Sequence, residues 1–360
     1  MNNAKLKLID FNYINEEDKR LTELFINDTS IKKYILGINK LTKSVQKYIE
    51  VDGIIDDFTR VQNSKRKKNI VQIEEVPKDA LILWTASGSP LEVKIKLDKL
   101  GFENFSYLSF YKYSKLELAS PPFILDFEAD YKKNKNKYIQ TYNLLADEKS
   151  REIFNKVINF KISFDYNFME GFINDFEGQY FDKELIQNIK DITFIDGGGY
   201  IGDTIPNIIK TFPDFKKIYV VEPNNLHINI AKKEFMHLSN IEFINCGLGS
   251  KKSNTISGQD NKTICNHDYQ AQDIDTIDNL IDEKVDFIKM DIEGAEQDAI
   301  EGAIDTIEKY SPILAICIYH KAEDWYKIPQ KVLAINSGYK VYIRHYMEGI
   351  YETVMYFIPK

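Results

Sequence analysis

The chain has 360 residues, 43% of them hydrophobic and 28% charged, a globular composition too long for one ordinary core, so two domains are expected. Its net charge of -8 disfavours a nucleic-acid or anionic-membrane partner, and no apolar stretch nears the length of a bilayer-spanning helix. The start, MNNAKLKLIDFNY, lacks an apolar signal core, so a cytoplasmic location is expected, and abundant Lys, Ile and Asn suggest an AT-rich bacterial genome.

In chain order, residues 16–27 have the spacing of an amphipathic helix capped by Asn15. A short apolar run at 34–37, helical spacing at 41–49 and the stretch VDGIIDDF at 51–58 predict one βαβ unit. ALILWTAS at 80–87, a helix LEVKIKLDKLGF closed by Gly101 and a strand NFSYLSFY extend it into a small parallel sheet over 31–123. Its first turn, Gly37-Ile38-Asn39-Lys40, keeps one glycine where a phosphate-binding turn holds two or three, which makes a degenerate Rossmann-like domain the reading. Asp56 and Asp57 stand where acids accept ribose hydroxyls, but carboxylates at a strand end are commonly solvated. The basic run SKRKK at 64–68 falls between predicted strands and reads as a solvated loop.

Between 126 and 190 the composition shifts to Lys and Asn, with Ile153, Phe154, Val157, Ile158 and Ile162 at helical spacing and a further helix expected at 180–187. The organisation is therefore a leading α/β domain at 1–125, a helical connector at 126–190 and a second α/β domain at 191–360. Cys246, Cys265 and Cys317 match no zinc spacing and read as reduced thiols.

The second domain opens with ITFIDGGGYIGDT at 192–204, a strand, a glycine turn and a helix in which Gly197, Gly199 and Gly202 fit GxGxxG. KIYVVEPNN at 217–225 is a second strand ending in Glu222, at the spacing from the glycines where an acid reaches a ribose, and Pro223 and Asn224 break it. NIEFINCGLG at 240–249 is a third strand, whose end lies beside the nucleobase in such folds. VDFIKMDIEGAE at 285–296 crowds Lys289, Asp291 and Glu293 onto one strand end, where carboxylates are expensive to bury unless paired. A helix dipole accounts for Glu296 but less well for Asp291, which falls at the carboxyl edge of the sheet. SPILAICIYHKAEDW at 311–325 adds a fifth strand with His320 at that edge, while His227, His237, His267 and His345 read as structural. GYKVYIRHY and ETVMYFI predict a closing antiparallel hairpin.

These motifs, FIDGGGYIGDT, VVEPNN, DFIKMDIEGAE and IYHKAEDW, stand in the order of the FkbM family of S-adenosylmethionine-dependent methyltransferases, which residues 192–358 resemble. The resemblance implies an α/β, class I methyltransferase fold, a seven-stranded sheet with a reversed last strand, and O-methylation of a sugar, glycan or related metabolite. Carried over, Asp196, Gly197, Gly198, Gly199 and Gly202 hold the methionine end of S-adenosyl-L-methionine, with Asp203 ordering the loop. Glu222, beside Pro223 and Asn224, takes the ribose hydroxyls, and Asn245 borders the adenine. Three adjacent glycines replace the small residue and Asn frequent in the family, which keeps the turn and removes a side-chain amide.

Methyl transfer to a hydroxyl is an in-line displacement that also needs a proton acceptor. His320 is the expected base, with Asp291 orienting it or taking the proton itself and Glu293 close by. Asp291, Glu293 and His320 also suit a divalent metal that would acidify the acceptor, as an alternative mechanism. Two other classes stand beside the enzyme reading: a nicotinamide-dependent oxidoreductase and a non-catalytic binding protein of the same fold. Against the first stand the acid directly before the glycines, the DIEGAE strand and the hairpin. The acceptor pocket is expected from loops such as 251–272 and from the leading domain; the oligomeric state is not encoded legibly.

Overall fold

A computed structural model describes residues 6–10, 12–56, 69–186, 189–255 and 272–360. Asp57, the basic run at 64–68, Cys265, His267 and most of the 251–272 loop therefore lie outside the described residues.

The leading part forms a five-stranded parallel sheet from β1 (Lys33–Leu36), β2 (Gly53–Ile55), β3 (Ile70–Val71), β4 (Leu81–Trp84) and β5 (Glu103–Ser106), in the order β3-β2-β1-β4-β5. Helix Glu16–Asn27 begins at Asn15, whose side chain accepts the Asp18 N–H, as its sequence predicts. The stretch expected as one strand beyond Gly101 divides, with β5 stopping at Ser106 and helix Tyr107–Ser114 following because the Ser106 hydroxyl caps the Ser109 N–H. At the first turn, the Asn39 side chain accepts both the Leu41 and Thr42 N–H groups, and a Cβ on Gly37 would meet Thr85 Oγ1. The amides that would cradle a phosphate there are thus taken by the chain's own side chain.

Helices Phe127–Leu144 and Glu148–Ser163 fill the space between this sheet and the next, burying Tyr131, Tyr138, Tyr142, Phe154 and Val157 in a core shared with both sheets. The helix expected at 180–187 is absent from the described part of that stretch, which turns through 183–185 instead. Tyr180, at the end of the preceding turn with φ of +68°, reaches inward.

The second sheet has seven strands: β6 (Thr193–Gly197), β7 (Lys217–Val221), β8 (Ile241–Ile244), β12 (Phe287–Met290), β13 (Ile313–Cys317), β14 (Tyr339–His345) and β15 (Thr353–Pro359). The numbers between belong to a small separate sheet of β9 (Gly247–Leu248), β10 (Ser253–Thr255) and β11 (Gln272–Asp275). The order β14-β15-β13-β12-β6-β7-β8 is parallel except for β15, which runs against both of its neighbours. This is the α/β class I methyltransferase arrangement, with its hairpin as expected. The central strands are buried on both faces: Ile195, Ile288 and Ile316 enter one core, and Phe194, Phe287 and Cys317 the other. Two expectations are corrected. The third strand ends at Ile244 before β9, and the helix after DIEGAE breaks at Gly302 into Glu296–Glu301 and Ile304–Tyr310. Among the described residues no helix is long and apolar enough to cross a membrane.

Candidate active site

The carboxyl ends of β6, β7, β12 and β13 meet at one edge, which brings Asp196, Glu222, Asp291 and His320 to the same side of the sheet. At the end of β6 the chain turns through Gly198 and Gly202, with φ of +77° and +85°. A Cβ on Gly198 would overlap the Asp291 carbonyl oxygen, so the turn passes against β12 only as backbone. Asp196 is fully buried, its Oδ1 lying 2.9 Å from the Lys289 ammonium while Oδ2 has no hydrogen-bond partner among the described residues.

Glu222 lies just past β7 and is mostly buried. Its two oxygens accept the Tyr200 N–H at 3.0 Å and the Asn224 N–H at 2.8 Å, so it closes the glycine turn onto the next helix. Asn245 donates its amide to the Glu222 and Pro223 carbonyls and braces that same turn from β8. Asp203 is exposed beyond Gly202. Two residues that sequence reasoning did not select join them: Tyr200, half exposed with φ of +43°, and His227, whose ring meets it edge-on at 4.4 Å.

Beside the turn stands a second group. Asp291 accepts hydroxyl hydrogens from Tyr180 at 2.9 Å and Tyr319 at 3.0 Å, and its Oδ1 lies 3.5 Å from His320 Nε2. On the other side of the ring, His320 Nδ1 lies 3.0 Å from Glu296 Oε1, which also accepts the Ile292 N–H. Glu296 is fully buried. The helix-dipole account of Glu296 thus missed its partner, because nothing in the local sequence says that β13 will bring His320 against it. Glu293 is the outlying member, with its side chain 69% exposed and 3.9 Å from His320 Nε2.

The charges follow from this packing. Burial alone would lower the His320 pKa, but Glu296, Asp291 and Glu293 outweigh it and push it up to about 9. Burial would raise Asp291, yet His320, Lys289 and the two tyrosine hydroxyls hold its carboxyl below the usual range. The resting pair at neutral pH is therefore imidazolium and carboxylate, not the neutral imidazole expected of a base. Glu352, across from Asp291, is pushed up to about 8 by burial and by that like charge. Phe123 comes from the leading part and packs edge-on against His320 and Tyr351, with ring centres 5.1 and 5.9 Å apart.

Asp291, Glu296 and His320 each offer an atom within 4.8 Å of the others, a donor set of the kind that holds a divalent ion. The two imidazole nitrogens, however, face different carboxylates, so the ring bridges them instead of converging with both on one point. Glu293 lies outside that inner set. Clefts of about 280 and 300 Å³ lie elsewhere, the first against Trp84 and Asp165 and the second against Arg344 and His345.

Residues 196–341 match the family profile described as the methyltransferase FkbM domain. The whole chain is similar in structure to the methyltransferase FkbM from Methylobacillus flagellatus KT, at 21% identity and a TM-score of 0.76, over 96% of this chain and 94% of that one. A putative rRNA-methylase from Clostridium thermocellum matches 51% of this chain and 93% of its own at 12% identity and a TM-score of 0.36. No curated protein matches the chain. Residues 196–341 thus match the methyltransferase FkbM domain, on the fold that the Methylobacillus protein shares.

Proposed function

We propose that this protein is an S-adenosyl-L-methionine-dependent O-methyltransferase acting on a hydroxyl of a sugar, glycan or related small-molecule acceptor. The observation that carries the reading is the placement, at one sheet edge, of the glycine turn, Glu222 and the Asp291–His320 pair. The residues fit the cofactor: Asp196 Oδ2 is buried without a partner among the described residues, and Glu222 retains lone pairs beyond the two amides it accepts.

When bound, S-adenosyl-L-methionine supplies an electrophilic methyl group on a sulfonium. The protein's part is to bind, orient and move one proton. Asp196 and the turn residues 197–202 hold the amino-acid end, Glu222 accepts the ribose hydroxyls, and Asn245 keeps Glu222 in place. Asp291, held ionised by Tyr180, Tyr319 and His320, accepts the proton of the attacking hydroxyl. Such a carboxylate is a weak base, which suits a proton that becomes acidic only as the new bond forms. His320, with Nε2 3.5 Å from Asp291, stands as its counter-charge and does not itself take the proton at neutral pH.

Thermal unfolding with S-adenosylhomocysteine, S-adenosylmethionine, NAD and NADP tests the reading. A ligand at about 100 times its dissociation constant adds roughly 2.7 kcal/mol to stability. Stabilisation by the S-adenosyl compounds is expected; stabilisation by NAD alone would overturn the reading. Turnover that survives a chelator is expected as well, whereas its loss would move the chemistry to a metal at Asp291, Glu296 and His320.

A further inference from the structure

Lys289 stands beside the turn, and apart from its pull on Asp291 the proton transfer above gives it no part. It is the register partner of Asp196 on the neighbouring strand and is almost fully buried. Its Nζ lies 2.9 Å from Asp196 Oδ1, donates to the Gly198 carbonyl at 2.8 Å and lies 5.2 Å from the centre of the Tyr180 ring. A buried ion pair is weak evidence for stability, because removing both charges from water offsets their attraction. Stability alone therefore does not account for it. The bond that an apolar pair could not supply is the one to Gly198, the residue whose positive φ sets the path of the turn.

We propose that Lys289 is a positioning residue of the cofactor site, tying Asp196 to the Gly198 carbonyl and balancing the charge of the pocket so that it does not overcommit to the cationic form of its ligand. The inference rests on the S-adenosylmethionine reading above. With Lys289 present, Asp196 is neutralised within the protein. Without it, the unbalanced carboxylate favours a sulfonium over a neutral thioether, and the turn loses its tether.

The test is isothermal titration of the full chain with S-adenosylmethionine and S-adenosylhomocysteine, for the wild type and for Lys289→Met, Lys289→Gln and Lys289→Arg. Lys289→Met should weaken S-adenosylhomocysteine by about tenfold or more, the size of one lost charge-assisted bond. S-adenosylmethionine should lose less, so that the preference for it rises about threefold or more. Lys289→Gln, which keeps a donor but no charge, should show the same rise in preference, and Lys289→Arg, which keeps the charge, should not. If Lys289→Met does not fold, the Gln and Arg variants carry the comparison. Equal weakening of both ligands in every variant, or no change in preference with Lys289→Gln, would overturn the proposal while leaving the cofactor reading intact. A wild-type chain that binds neither compound would overturn both.

Discussion

A methyl group at position 198 has nowhere to go: the backbone there has φ of +77° and the Asp291 carbonyl oxygen fills the space. Gly198→Ala should cost roughly 2–4 kcal/mol through combined strain and overlap, seen as a lower melting temperature, and should abolish stabilisation by S-adenosylhomocysteine. His320 makes a prediction with a definite pH sign. Its pKa in the folded protein is about 9, above the ordinary 6.5, so the stabilisation it supplies is complete below pH 6.5 and is lost as pH rises through 9. The stability advantage of the wild type over His320→Gln, measured by urea unfolding, should narrow across that window. An advantage that stays constant or widens would mean that the ring is not held as a cation. For turnover, His320→Ala should leave S-adenosylhomocysteine binding intact while slowing methyl transfer on the order of a hundredfold.

At the scale of elements, the joints carry more than the strands do. Helix Glu148–Ser163 buries Lys161 completely, and its ammonium donates to the carbonyls of Phe123 at 2.9 Å and Tyr319 at 3.4 Å. It thereby fastens the Phe123 segment, itself at φ of +53°, to the strand end that bears His320. Burial lowers the Lys161 pKa to about 7, against an ordinary 10.5, so the unfolded chain binds more protons between those values and the folded state gains stability as pH rises. The stability of the wild type relative to Lys161→Met should accordingly rise from pH 7 to 10 in denaturant titrations. A second joint is Glu348, whose carboxylate accepts the Leu91 and Glu92 N–H groups and so caps helix Pro90–Lys99 from the far end of the sequence. Glu348→Ala should cost about 1–2 kcal/mol, the usual range of a lost cap. Neither joint was legible in the sequence. Lys161 reads as an ordinary polar position of an amphipathic helix, and Glu348 as a residue of a hairpin loop. By contrast β6, β7, β12 and β13 were legible, because short, largely apolar runs that give way to glycine, an acid or His320 are the pattern of buried parallel strands.

Across the whole molecule, one apolar core runs from Trp84 of the leading sheet through Phe154 and Tyr166 to Trp325 and Phe357. Trp325 alone meets Phe127 and Phe154 edge-on at 5.8 and 5.2 Å. Calorimetry should therefore show the leading sheet and the methyltransferase sheet melting in one transition, and residues 191–360 expressed alone should be poorly soluble for want of the surface that covers them. The site was legible in the same uneven way: Asp196, Glu222, Asp291 and His320 announce themselves by ending strands, while Tyr180 and Glu296 do not, since their nearness depends on how distant segments are laid down. The order β14-β15-β13 makes one strand responsible for holding another in the sheet. β14 pairs with β15 and not with β13, so the strand that joins them comes later in the sequence than both. On its other side β14 rests on helix Glu148–Ser163, where the Ile343 N–H donates to Ser150 Oγ. β15 is thus a wedge rather than an edge, and a change that unseats Thr353–Pro359 would release β14 from the sheet along its whole length.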